Sequence, residues 1–203
     1  MDPEKQGLVP QQETGGQSDT EARRSFGDSD EAQAFYEVVA KRLRNVNRWQ
    51  LLAGDATARF QLTDASGLEV DRAVQPGDHF KIDIPGPGPA TGAGFDWVQV
   101  EAVEEGETED CPFTLIRVRP ASNPNNDHND VAHFFSGDAT SNFLVRREGN
   151  DVIAAVHGRN ERPNAGAETL WDKARNALIG SSAIAGASKL QWKALVDGLI
   201  SDL

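Results

Sequence analysis

Between residues 56 and 157 the chain alternates apolar and polar positions with a period of two, in short runs separated by turn signals. Such alternation is typical of antiparallel strands that bury one face. Stretches with helical spacing of apolar residues, each carrying a tryptophan, lie on both sides of this region. The pattern predicts an α+β fold in which an antiparallel, strongly curved sheet of about six to seven strands packs on a long C-terminal helix, with a further helix at the N-terminal side.

The first helix is predicted over residues 29–46. Asp28, followed by Glu31 three residues later, resembles an N-terminal cap. The apolar residues that then recur at helical spacing are Ala32, Phe35, Val38, Val39, Leu43 and Val46. The apolar run around Trp49 is expected to lead the chain under the sheet.

Short alternating runs are expected to form the strands. They cover residues 58–63, 70–74, 80–84, 98–102, 113–119, 141–147 and 152–157, with turns at 64–67, 75–78 and 148–151. The run at 113–119 is apolar on both faces, which is typical of a central strand. The acidic stretch at 104–110 is expected to be a solvated turn.

Two helices are predicted at the C-terminal end. Thr169 with Asp172 fits the cap of a helix around Trp171. Ser188 with Gln191 forms a capping box for the last helix. The apolar stripe of that helix, expected to lie on the sheet, consists of Trp192, Leu195, Val196, Leu199 and Ile200. As a core anchor, Trp192 is expected to contribute about 3 to 5 kcal/mol of stability relative to alanine.

Residues 1–27 are predicted to be a disordered polar tail, and residues 28–203 a single α+β domain. The large apolar residues of the tail are Leu8, Val9 and Phe26, which are too few to offset the entropy of ordering it. Removing the tail is therefore expected to change stability by less than about 1 kcal/mol.

The charge and the cysteine content of the chain limit which partners and which cellular compartment are expected. The formal net charge is −12, from 20 basic and 32 acidic residues, so nucleic acid and anionic membranes are poor partner expectations. We find no basic start followed by an apolar run and no stretch that approaches a membrane span, which predicts a cytoplasmic protein. Cys111 is the only cysteine, which excludes an intrachain disulfide and a cysteine-built zinc site.

The sequence carries no catalytic, metal or cofactor motif with the required spacing. The Gly/Pro loop at 86–94 has neither a dinucleotide fingerprint nor the Lys-Ser/Thr of a phosphate loop, so a connection or lid is favoured. The Asn-rich segment at 123–130 lacks the glycine and glutamate of a calcium loop. Cys111 lies in an acidic turn that would raise its pKa and disfavour a nucleophilic role. We therefore expect no metal and no cofactor, and the lack of a catalytic motif favours a non-enzymatic protein over an enzyme.

Polar groups at strand ends are the best candidates for a site. His133 lies just before the final predicted hairpin and His157 ends it, so the two could meet across the sheet. The segment that begins at His157 also carries Arg159 and Glu161, which either recognise a ligand or pair with each other to hold a loop. Arg117 lies on the two-faced strand.

The stretch Leu43-Arg44-Asn45-Val46-Asn47-Arg48-Trp49, together with a last helix that carries Trp192, resembles the helix-grip superfamily of START-like and Bet v 1-like proteins, including its polyketide cyclase-like branch. The resemblance implies a sheet that grips the C-terminal helix around a cavity. The family normally begins with a strand, which residues 1–27 do not indicate, and the helix around Trp171 is a further departure. The family has no universal catalytic residues, so the resemblance implies a cavity and no site.

Two functions follow as hypotheses. The first is a module that binds a small, largely apolar molecule in a cavity of at least about 300 Å³ between the sheet and the last helix. Its polar groups are expected to be Arg117, His133, His157, Arg159 and Glu161. An enzyme version would use His133 or His157 as general acid or base. The second is a non-enzymatic interaction or structural protein with a filled core, since the sheet can pack against the tryptophans without a void.

Overall fold

The computed structural model describes residues 3–54, 57–84, 89, 91–108, 111–126, 130–164 and 182–202. The strands are β1 (Gly16–Ser25), β2 (Arg59–Thr63), β3 (His79–Asp83), β4 (Asp96–Thr108), β5 (Cys111–Pro120), β6 (Thr140–Glu148) and β7 (Asp151–Glu161). The helices are α1 (Ser29–Arg44), α2 (Trp49–Ala53) and α3 (Ser182–Leu199), and a 3₁₀ turn (Val46–Arg48) joins α1 to α2.

The strands form one sheet in the order β1-β7-β6-β5-β4-β3-β2, with every neighbouring pair antiparallel. This sheet, with a helix after its first strand and a helix at the C-terminal end, confirms the predicted α+β helix-grip arrangement. Strand β5 lies in the middle of the order, as its two apolar faces predicted. The hairpin of β6 and β7 also forms as predicted, with Glu148 opposite Asp151 at its turn.

The prediction of a disordered tail is wrong for β1, which lies inside residues 1–27. This strand pairs with β7 over almost its whole length, from Gly16 opposite Glu161 to Ser25 opposite Asp151. Because an edge strand is held by backbone hydrogen bonds on one side, it can form with few apolar side chains. The domain therefore begins before residue 28, and β1 supplies the first strand that the family resemblance requires.

Helix α1 begins where the sequence predicted. The Asp28 side chain accepts hydrogen bonds from the backbone nitrogens of Asp30 and Glu31 at 3.0 and 2.9 Å. Trp49 in α2 is fully buried, as expected, and its indole nitrogen donates to the carbonyl oxygen of Leu43 at 2.9 Å. Leu51 is 67% exposed, because it lies on the opposite side of the short helix α2 from the buried Trp49.

The structure corrects three predictions of where strands, turns and helices lie. No strand forms at 70–74. The Asp64 side chain closes the preceding turn by accepting hydrogen bonds from the backbone nitrogens of Ser66 and Leu68. After this turn the chain makes one isolated bridge, between Glu69 and Thr63. The acidic stretch predicted as a turn is strand up to Thr108, because its backbone pairs with β5 while its carboxylates remain in solvent. Helix α3 begins at Ser182 rather than at the predicted Ser188. The helix predicted around Trp171 lies outside the described residues.

The inner face of the sheet, which we define as the face toward α1 and α3, packs in one apolar core. Trp49 contacts three rings, with centroid distances of 5.3 Å to Phe60, 5.6 Å to Phe80 and 4.6 Å to Phe143. Trp192 of α3 is partly buried and packs on Phe143 at 5.3 Å. These aromatic rings lie between the sheet and α3, in the region where the sequence predicted a cavity.

Helices α2 and α3 cross at very close distance. A Cβ at position 198 would lie 2.1 Å from the carbonyl oxygen of Leu52, so only glycine fits there. This contact fixes α2 against the end of α3 and determines where Leu51 and Leu52 lie relative to α1.

Candidate functional site

A large cleft lies along α1, between that helix, α2 and the paired strands β4 and β5. It is open to solvent and has a volume of about 830 Å³. Its apolar wall includes Val38, Leu51 and Leu52, of which Val38 is 44% exposed and Leu51 67% exposed. Apolar side chains are thus accessible from solvent in the cleft between the two helices and the strands.

Four cationic and two acidic side chains line the same cleft. The cations are Lys41, Arg42, Arg44 and Arg48, and the acids are Glu37 and Glu105. Arg42 donates to the carbonyl oxygens of Leu199 and Ser201 at 2.7 and 2.8 Å, which ties α1 to the end of α3. Arg44 donates to a carboxylate oxygen of Glu105 at 2.5 Å, which ties α1 to β4. Two of the four cations therefore have structural partners.

The floor of the cleft is formed by Tyr36 and Thr114. Their hydroxyl oxygens lie 3.0 Å apart in a hydrogen bond, and both side chains are buried. Burial raises the pKa of the Tyr36 hydroxyl above its usual range, so this group stays protonated at neutral pH. The floor therefore offers neutral hydroxyl groups beneath a charged rim.

The site residues predicted on β5 and β7 lie on the outer face, which points away from the helices. Val152, Ala154 and Val156 belong to the core, so the alternate residues His157 and Arg159 point the other way. Arg117 likewise alternates with core residues, and it donates to the side chain of Asn142 and to the carbonyl oxygen of Leu8, each at 2.9 Å. These residues therefore do not line a cavity between the sheet and α3, and their role in ligand binding stays a prediction.

The N-terminal segment, residues 3–14, covers this outer face. Leu8 is buried in a second apolar cluster with Phe113, Leu115 and Leu144. Glu4 accepts a hydrogen bond from the buried guanidinium of Arg159 at 2.7 Å. The predicted polar groups of β7 are thus partly neutralised by the chain's own first residues.

His157 and Asp19 form a close pair on the outer face. The Nδ1 atom of His157 lies 2.6 Å from Oδ1 of Asp19, and Arg159 contacts the same oxygen at 2.9 Å. Burial lowers the pKa of His157. Burial would raise the pKa of Asp19, but its hydrogen bonds to His157 and Arg159 outweigh burial and hold that pKa below its usual range.

His133 and Glu161 have hydrogen-bond partners of their own, and Glu161 also interacts electrostatically with Asp19 and Arg159. The Nδ1 atom of His133 accepts from the backbone nitrogen of Phe135 at 3.0 Å, in the chain between β5 and β6. Glu161 accepts from the Ser18 hydroxyl at 2.9 Å, and burial raises the pKa of its carboxyl group. The strand continues to Glu161, so the polar segment predicted at the end of an apolar strand is largely part of β7.

Sequence reasoning missed the cleft residues on α1 and α2. Val38 was assigned to the buried stripe of α1, and Leu51 was expected under the sheet. A signal was present in Lys41, Arg42, Arg44 and Arg48, which make this stretch unusually basic for so acidic a chain. Helical spacing alone does not show which side of α1 faces an opening.

Neither a metal cluster nor a membrane-spanning helix occurs in the part of the chain that the structure describes. No group of three His, Cys, Asp or Glu side chains is placed to hold a metal ion there. No helix within those residues is long and apolar enough to cross a membrane.

No family model matches the chain, and no curated protein matches it. Several solved structures are similar to it. A truncated norcoclaurine synthase from Thalictrum flavum is 8% identical with a TM-score of 0.44, over 95% of this chain and 99% of that one. The di-domain ARO/CYC StfQ from the steffimycin biosynthetic pathway is 11% identical with a TM-score of 0.41, over 90% of this chain. The extracellular domain of PknH from Mycobacterium tuberculosis is 11% identical with a TM-score of 0.37, over 86% of this chain. The chain spans 51% of StfQ and 61% of the PknH domain.

Proposed function

We propose that the protein binds a small, largely apolar molecule in the cleft between α1, α2 and the strands β4 and β5. The observation that carries the proposal is the combination of volume and lining at this place. A volume of about 830 Å³ lies within the range of small-molecule sites, which is about 300–1,000 Å³. Such sites combine apolar walls with a few polar groups, and Val38, Leu51 and Leu52 beside Tyr36 provide both.

The position of the site differs from the one that the family resemblance implies. Between the sheet and α3, the ring of Phe143 contacts the rings of both Trp49 and Trp192. The cleft is instead bounded by the outer side of α1, where Val38 and Leu51 are solvent-accessible. Binding there requires no rearrangement of the aromatic core.

The test uses a neutral solvatochromic dye such as Nile red, whose fluorescence rises in apolar surroundings. We expect saturable binding to the folded full-length chain with one dye per protein. Leu51→Ser should weaken this binding about tenfold, because losing the contact of a leucine side chain is worth about 1.5 kcal/mol or more.

The matched control is Leu68→Ser. Leu68 is 66% exposed, almost the same as Leu51, but it lies away from the cleft, so its substitution should leave dye binding unchanged. Non-saturable binding, or equal effects of the two substitutions, would overturn the proposal.

A second function is supported by the packing of aromatic rings between the sheet and α3, where Phe143 contacts both Trp49 and Trp192. With a packed core the protein would act through its surface, as an interaction protein. In that case dye binding would be weak and unsaturable, and the exposed Val38 and Leu51 would belong to a protein-binding surface.

A further inference from the structure

We infer that the molecule bound in the cleft carries a carboxylate, which the cationic wall of the cleft receives while the apolar body lies on Val38, Leu51 and Leu52. The inference rests on the function proposed above and specifies its ligand class. It starts from the charges around the cleft, where four cationic side chains face two acidic ones in a chain with a net charge of −12. A local excess of positive charge in so acidic a protein selects an anionic group at close range.

The helix dipole explains part of this excess. Lys41, Arg42 and Arg44 lie in the last turn of α1, where cations stabilise the partial negative charge of the helix end. Arg42 also bonds the carbonyl oxygens at the end of α3. Neither effect accounts for Arg48, which lies beyond the helix in the 3₁₀ turn and still lines the cleft.

Unused hydrogen-bond donors point to the ligand. Lys41 and Arg48 are exposed, line the cleft and make no hydrogen bond or ion pair with any residue that the structure describes. The Nε atom of Arg44 is buried and has no acceptor among those residues. A buried N–H group without an acceptor is unfavourable, so an arriving acceptor is stabilised.

The chemistry of these donors fits a carboxylate. A guanidinium presents parallel N–H groups that match the two oxygens of a carboxylate, and such charge-assisted hydrogen bonds are stronger than neutral ones. Leu51 and Leu52 follow Arg48 by about one helical turn, so the apolar wall of the cleft begins next to its cationic wall. An amphipathic carboxylate can therefore contact both walls at the same time.

The experiment displaces the bound dye with decanoate, decanol and decylammonium, each below its critical micelle concentration. We expect decanoate to displace the dye at a concentration about tenfold lower than decanol, with decylammonium the weakest, because one charge-assisted hydrogen bond supplies at least this factor. The preference for decanoate should shrink as the salt concentration rises, since Arg48 is exposed to solvent.

The Arg48→Gln variant tests whether Arg48 is the residue that binds the carboxylate. This substitution should lower the affinity for decanoate about tenfold and leave that for decanol unchanged. The matched control is Arg59→Gln, an exposed arginine on β2 outside the cleft, which should change neither affinity.

The outcomes separate the two proposals. Equal displacement by decanoate and decanol, with both weakened by Leu51→Ser, would overturn the carboxylate and leave the apolar site standing. An Arg48→Gln variant that binds decanoate like the wild type would also overturn the inference. Failure of all three compounds and of the dye to bind would overturn both proposals.

Discussion

At the scale of single residues, the hydrogen bond between His157 and Asp19 decides which nitrogen of the histidine carries the proton. Asp19 is ionised at neutral pH and accepts, so Nδ1 of His157 is the donor and Nε2 is left unprotonated. The Nε2 atom is buried and has no hydrogen-bond partner within the described residues. Protonating it would place a new N–H group without an acceptor near Arg159 and Arg146, whose charges also disfavour the cation.

This arrangement predicts how stability depends on pH. The pKa of folded His157 lies below the value of about 6.5 for an unfolded histidine. Between the two values the unfolded chain binds a proton that the folded chain does not. The stabilisation is therefore complete above about pH 6.5 and is lost as the pH falls through the folded-state pKa. Denaturant titrations from pH 8 to pH 5 should show a falling free energy of unfolding.

His157→Gln removes the titrating group and keeps an amide that can donate to Asp19. The decline below about pH 6.5 should be smaller in this variant. His79, whose pKa is also lowered by burial, is present in both proteins, so it contributes equally to the two curves. Superimposable curves for variant and wild type would contradict the account of His157.

At the scale of elements, α3 is held by a few contacts with the sheet and with α2. Its buried residues Leu195, Val196 and Leu199 belong to the main core, and Gly198 allows the close approach to Leu52. Trp192 lies one turn before them and reaches both Phe60 and Phe143. From Trp192 onward, α3 is therefore anchored in the core.

Trp192→Ala should therefore destabilise the protein. Because the indole is partly rather than fully buried, we expect a loss near the lower end of the range for buried aromatic residues, about 3 kcal/mol, measured by chemical denaturation. Leu190→Ala on the same helix is the control, since Leu190 is exposed and should change stability by less than about 0.5 kcal/mol. A similar loss for both variants would mean that Trp192 is not part of the core.

At the scale of the whole molecule, the first residues close the outer face of the sheet. The contacts join distant parts of the chain: Glu4 to Arg159, Leu8 to Arg117, and Gln12 to Asn160. Leu8 and Val9 are 4% and 2% exposed, so they are as buried as core residues. The expectation that this region has little to bury is wrong.

Deleting residues 1–14 should consequently cost at least about 3 kcal/mol, because burial of Leu8 and Val9 contributes about 1.5 kcal/mol or more each. The deletion keeps β1, so the sheet can still form. The measurement is the free energy of unfolding, with Leu8→Ala as a partial version and Gln11→Ala, an exposed position, as the control. An unchanged melting temperature after the deletion would show that this segment does not stabilise the fold.

The sequence by itself determined the elements whose signals are local. The cap at Asp28 directly precedes the helix that it starts, and the turn at 148–151 lies between the two strands that it joins. Strand β5 was identified as central because its own side chains are apolar on both faces. In each case the residues that determine the element are within a few positions of one another, so the local sequence pattern is enough to predict it.

Only the tertiary structure decided β1, the face on which His157 and Arg159 lie, and the cleft. Strand β1 depends on backbone pairing with residues more than 120 positions later, such as Asp151 opposite Ser25, and this pairing does not require an apolar pattern. The sequence indicates a solvent-facing polar group at Arg159, but in the structure its guanidinium pairs with Glu4, which lies 155 positions away. The cleft is lined by Leu51, which lies outside the core next to the close contact between Gly198 of α3 and Leu52 of α2. Alternation along a strand gives two faces without saying which one is covered, and that is settled by contacts between segments distant in sequence.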